Sequence, residues 1–339
     1  MNYANLSVAP GARAAMPPLA AKVEPVLRVS GLEVTYYTDA GRAKALDNVG
    51  FTLNPGEKLG MVGESGSGKS TMALAMMRMI KAPGRIEAGS VVVGGTDLMA
   101  LDSEGMRKAR LSKIAYIPQG AMNSLNPVMR IGAQMMDAVK SHLPRESRGA
   151  IEARCRRALQ SVDLDPGVFR MHPHELSGGM KQRVCIAIGI LLDPQVIIAD
   201  EPTSALDVVT QRQVMETIDN VKNAINAAVI LIGHDMGLMA QFVDKVAVMY
   251  AGRLVEFSTV REMFTSPEAS LCAGADRQPA EPRQQGCLPG NSGPRALVAA
   301  PAVRLRVPSA LLQRHGRLPL RAPGTARSGQ RPQRDLPSL

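Results

Sequence analysis

The segment Gly63-Glu64-Ser65-Gly66-Ser67-Gly68-Lys69-Ser70 follows a short apolar run, Leu59 to Val62, and opens onto Thr71-Met72-Ala73-Leu74. A strand, a glycine loop and a helix therefore stand in that order. The spacing is that of a phosphate-binding loop. Its glycines turn backbone N–H groups toward a phosphate, and the helix behind presents its positive N-terminal end. The pattern predicts nucleotide binding by Gly63, Glu64, Ser65, Gly66, Ser67, Gly68, Lys69, Ser70 and Thr71. Lys69 is expected on the β- and γ-phosphates and Ser70 on Mg²⁺. The helix is expected to run from Ser70 to Ile80, with Met72, Met76, Met77 and Met79 as core packing.

Three further apolar runs read as buried parallel strands. Val196-Ile197-Ile198-Ala199 ends at Asp200 and Glu201, Ala228 to Ile232 leads to His234, and Lys245 to Tyr250 leads to a glycine turn. Strands alternating with helices predict an α/β parallel sheet whose ligands sit at the carboxyl ends of the strands. Asp200 is placed to hold Mg²⁺ through water, and Glu201 to orient or deprotonate an attacking water. Leu176-Ser177-Gly178-Gly179 gives a second helix start suited to an anion, with Ser177 as its cap and the helix running to Leu192. One chain has little need of two phosphate cradles for one nucleotide, whereas two chains facing head to tail use both. Val26 to Leu53 alternates in hydrophobicity around Asp39-Ala40-Gly41 and predicts an antiparallel hairpin, while Ile131 to Leu164 reads as helical.

Charge is unevenly spread. The net charge is +10, yet residues 270–339 hold eleven arginines, no lysine and three acids, so the remainder is nearly neutral, which weakens the argument for a basic binding face there. The same stretch holds ten of the 24 prolines and lacks Ile, Met, Phe and Tyr, so it is expected to be disordered or the product of a shifted reading frame. Residues 1–25 read as a disordered leader without the basic and apolar regions of a signal peptide. No stretch has the roughly 18 apolar residues of a membrane span. The four cysteines form no CxxC pair and read as reduced thiols.

The motif order resembles the ATP-binding subunits of ABC transporters. Lys69, Gln119 in Tyr116-Ile117-Pro118-Gln119, Ser177, Asp200 and His234 follow one another at intervals of 50, 58, 23 and 34 residues, with Ser204-Ala205-Leu206-Asp207 between the last two. Gly120 to Pro127, His172-Pro173-His174-Glu175-Leu176 and Val248 to Glu256 resemble the dipeptide, oligopeptide and nickel import group.

The resemblance implies an α/β P-loop NTPase over residues 26–267, with an antiparallel β subdomain and a helical insert at about 120–176. It implies that Tyr36, with Tyr37 as its rival, stacks on adenine, that Gln119 ligates Mg²⁺, and that His234 contacts the γ-phosphate. Ser177, Gly178 and Gly179 would grip the γ-phosphate of an opposite subunit, and Asp207 would help form the dimer seam. The implied partners are two transmembrane permease subunits, a second ATP-binding subunit and an extracytoplasmic peptide-binding protein, with no nucleic acid. The implied location is the cytoplasmic face of the inner membrane. Gly120 and Gly233 depart from the family's pattern, as does Ala269-Ser270-Leu271 after Ser266-Pro267-Glu268, where relatives continue with a cysteine-bearing extension. Two other readings stand beside this one: a soluble ABC-type ATPase acting on nucleic acid, and a transporter remnant that does not assemble.

Overall fold

In a computed structural model of the chain the described residues are 24–39, 41–204 and 206–265. The leader up to residue 23, the tail from residue 266, Cys272, Cys287 and Ala205 lie outside them.

The alternating segment forms the expected hairpin, β1 (Leu27–Thr38) and β2 (Gly41–Leu53). β3 (Lys58–Gly63) leads through the glycine loop into α1 (Lys69–Met76), and β4 (Gly84–Val93) and β5 (Thr96–Asp97) return to β1. α1 ends four residues before the expected Ile80. Arg78 takes φ +48°, and the Arg110 guanidinium takes up the Met77 and Arg78 carbonyls that a longer helix would have used. Met72, Met76 and Met77 are buried as expected, but Met79 lies past the helix end and is exposed.

α2 (Ser103–Ser112) and β6 (Ile114–Ile117) come next. Between Gly120 and Leu176 the longer elements are α3 (Ile131–His142) and α4 (Arg148–Gln160), joined by turns. α5 (Gly178–Gly189) stops short of Leu192. There follow β7 (Val196–Asp200), α6 (Val208–Ile225), β8 (Ala228–Ile232), α7 (Met236–Phe242), β9 (Lys245–Tyr250), β10 (Arg253–Thr259) and α8 (Val260–Thr265). No helix among the described residues is long and apolar enough to cross a membrane.

Two sheets result: an antiparallel one in the order β2-β1-β4-β5, and a second in the order β10-β9-β3-β8-β7-β6. The second is parallel except for β10. Its central strands are buried on both faces, so they read as unbroken apolar runs, with side chains alternating between two cores. Ile198, Ile230 and Met61 face α1 and the antiparallel sheet, whereas Ile197, Ala199, Val229 and Leu231 face the helices from α3 to α6. This alternation decides which residues at the strand ends share a face.

Candidate active site

The phosphate loop is fixed by close packing as much as by glycine freedom. Gly63 has φ +148°, and a Cβ there would lie 2.2 Å from the Met249 carbonyl oxygen at the end of β9. Gly68 has φ +104°, and its Cβ would lie 2.7 Å from the Ala45 carbonyl oxygen on β2. Gly68 precedes α1 and supplies no side-chain cap, so the first N–H groups of the helix remain available to an anion. Lys69 curls back into the loop, and its Nζ donates to the carbonyl oxygens of Gly63 and Glu64, each at 2.8 Å. Burial lowers its pKa, while Glu201 and Asp200 act against that shift.

The two acids leave β7 in different environments. Asp200 is 1% exposed; its Oδ2 accepts from the Tyr116 hydroxyl at 3.1 Å, and its Oδ1 is buried without a hydrogen-bond partner. Burial pushes this carboxyl above its ordinary value, and the neighbouring Ser70 and Tyr116 hydroxyls pull it back in part. A buried, incompletely satisfied carboxylate oxygen beside a serine hydroxyl fits a hard divalent cation, which prefers oxygen ligands. Glu201 turns out of the strand with φ +46°, a sparsely populated conformation, held by its N–H donating to the Ile232 carbonyl at 2.9 Å. Gln119 Nε2 donates to Glu201 Oε2 at 2.6 Å, and His234 Nδ1 lies 3.9 Å from Oε1. A cavity of about 70 Å³ lies between Glu201 and His234. That is room for more than one water. The His234 side chain is 77% exposed and so is free to meet an incoming ligand.

Ser177, Gly178 and Gly179 form a separate group with Asp207. Ser177 caps α5, its hydroxyl accepting from the Met180 N–H at 3.3 Å. Asp207 caps α6, accepting from the Thr210 N–H at 3.0 Å and the Thr210 hydroxyl at 2.7 Å. The two helix starts touch, because a Cβ on Gly179 would meet Thr210 Cγ2 at 2.6 Å. Ser177 and Gly178 are exposed, and Val208 and Val209 beside Asp207 are 80% and 68% exposed. Among the described residues, no hydrogen bond of the Ser177 or Asp207 side chain reaches the phosphate loop.

Tyr36 sits on β1 opposite Ala43 and Gly84, two residues along β2 from the Ala45 carbonyl that abuts Gly68. Its rival Tyr37 is engaged elsewhere: its hydroxyl donates to Glu87, and the Arg42 and Arg85 guanidinium groups lie over its ring. Tyr116 was legible only as part of the motif before Gln119, and its bond to Asp200 depends on the pairing of β6 with β7.

Residues 46–204 match the family model described as "ABC transporter". The chain is 41% identical over 277 residues to the oligopeptide transport ATP-binding protein OppD of Haemophilus influenzae, covering 79% of this chain and 84% of that protein. This chain is an ATP-binding subunit of the ABC transporter family. It is also 41% identical over 247 residues to the dipeptide transport ATP-binding protein DppD of Lactococcus lactis, covering 72% and 71% of the two chains. Among solved structures it is similar to a dimeric ATP-binding cassette in a post-hydrolysis state bound to ADP and Pi, with TM-score 0.61 and 26% identity over 69% of this chain and 99% of that one. As a member of the family the chain is an ATPase with the α/β cassette fold.

Proposed function

We propose that the chain hydrolyses ATP to drive peptide uptake across the inner membrane. The observation that carries the hydrolytic part is the arrangement around Glu201, with Gln119 on one carboxylate oxygen, His234 near the other, and a cavity lined by Glu201 and His234 beside them. In this reading Glu201 orients and deprotonates the attacking water and His234 contacts the γ-phosphate. Lys69 exchanges its loop carbonyls for β- and γ-phosphate oxygens, and the loop from Gly63 to Thr71 wraps the phosphates through its N–H groups. Ser70, Asp200 and Gln119 would hold Mg²⁺, whose charge neutralises phosphate oxygens. The Gln119 Nε2 is spent on Glu201, which leaves its Oε1 for a cation. Tyr36 would stack on adenine, since Tyr37 is occupied by its arginines.

Ser177, Gly178 and Gly179 complete the site of an opposite ATP-binding subunit, and Asp207 lies on the seam. Exposure of the two helix starts and of Val208 and Val209 supports this. The cassette spans residues 26–267, with the helical insert at 120–176. The peptide cargo, the two permease subunits, the extracytoplasmic binding protein and the peripheral position on the cytoplasmic face rest on the similarity to peptide transport subunits.

The test is Glu201→Gln. That variant should bind ATP as the wild type does and lose turnover by at least about a hundredfold, the scale of a lost general base. Wild-type turnover in the variant would remove Glu201 from this role.

A further inference from the structure

β6 and β7 run parallel, with Tyr116 opposite Ile198 and Ile117 opposite Ala199. Side chains alternate along a strand, so Tyr116, Ile198 and Asp200 share one face while Ile117 and Ala199 take the other. Packing agrees: Tyr116 and Ile198 belong to the core under α1, and Ile117 and Ala199 to the core under the other helices. Tyr116 therefore reaches along its face to the end of the neighbouring strand. There its hydroxyl donates to Asp200 Oδ2 at 3.1 Å, on the side where Ser70 lies in the first turn of α1.

The Asp200 carboxylate is then held at Oδ2 by Tyr116, with the Ser70 hydroxyl beside it, and Oδ1 has no hydrogen-bond partner. The terminal torsion of an aspartate is soft, so an unheld carboxylate samples a broad range of orientations. We infer that Tyr116 is a positioning residue: its phenol locks the Asp200 carboxylate so that Oδ1 faces the divalent cation of the ATP complex. This rests on the Mg²⁺ site proposed above. Its hydroxyl is spent on Asp200 Oδ2, so Tyr116 would act on the cation only through that carboxylate.

The experiment compares binding of ATP in EDTA with binding of Mn²⁺·ATP, together with the Mn²⁺ electron paramagnetic resonance signal of the complex. Tyr116→Phe keeps the ring and removes only the hydroxyl. It should leave metal-free ATP affinity unchanged and weaken Mn²⁺·ATP about tenfold, the scale of one hydrogen bond to a charged group. In an Asp200→Asn background the same change should alter the metal-dependent gain no further. An unchanged gain in Tyr116→Phe overturns the inference. So does an equal loss with and without metal, which would mark a purely structural role. Wild-type protein that gains nothing from Mn²⁺ overturns the Mg²⁺ reading itself and this inference with it.

Discussion

Gln119 Nε2 donates to Glu201 Oε2 at 2.6 Å, so a residue two positions past β6 holds the acid that follows β7. Glu201 already sits at φ +46°. A residue in so unfavourable a conformation needs its surroundings to keep it there. The amide and the backbone bond to Ile232 do so from two sides.

Gln119→Ala should therefore slow hydrolysis more than it weakens nucleotide binding. Loss of one hydrogen bond to a carboxylate predicts a ten- to hundredfold fall in single-turnover rate, with ATP affinity in EDTA unchanged. Rapid-quench kinetics beside equilibrium binding separates the two effects. Equal losses in both would mean that Gln119 shapes the pocket and does not orient Glu201.

The phosphate loop offers a paired test. Gly63→Ala forces a methyl group to 2.2 Å from the Met249 carbonyl oxygen, while at Gly66, φ +81°, the same methyl meets nothing within 4 Å. Gly66→Ala carries conformational strain alone, about 1 kcal/mol. Gly63→Ala adds a clash with backbone and should cost about 3 kcal/mol or more, together with ATP binding. Urea unfolding of both variants checks the order. Equal stabilities would contradict the packing of the loop against β9.

Asp207 gives a pH-dependent prediction. The Thr210 hydroxyl and N–H donate to its carboxylate and hold its pKa below the ordinary 3.8. A lowered folded-state pKa adds stability above that value and loses it as the pH falls through the folded pKa. Asp207→Ala should melt a few degrees below the wild type at pH 7. The gap should narrow below pH 3.8. Melting curves from pH 7 to pH 3 measure it, and a gap independent of pH would deny the ionic cap.

Legibility of the site in the sequence followed the range of the physics. Gly63 to Ser70, Asp200-Glu201 and Ser177-Gly178-Gly179 are contiguous because a strand end or a helix start gathers their groups locally. The buried strands were readable because both faces are apolar. The end of α1 was not, because it depends on Arg110, more than thirty residues away in the chain, taking up the Met77 and Arg78 carbonyls. The bond from Tyr116 to Asp200 spans 84 residues and exists only in the β6–β7 register. The contact of Gly179 with Thr210, which joins the two exposed helix starts, was hidden for the same reason.

The most direct test of the transporter role is to isolate the tagged chain from its own cells and ask what accompanies it. A peripheral transporter ATPase sediments with membranes, copurifies with two polytopic proteins, and hydrolyses ATP in that complex at a rate abolished by Glu201→Gln. A chain that stays soluble and hydrolyses ATP with no membrane partner would contradict that role.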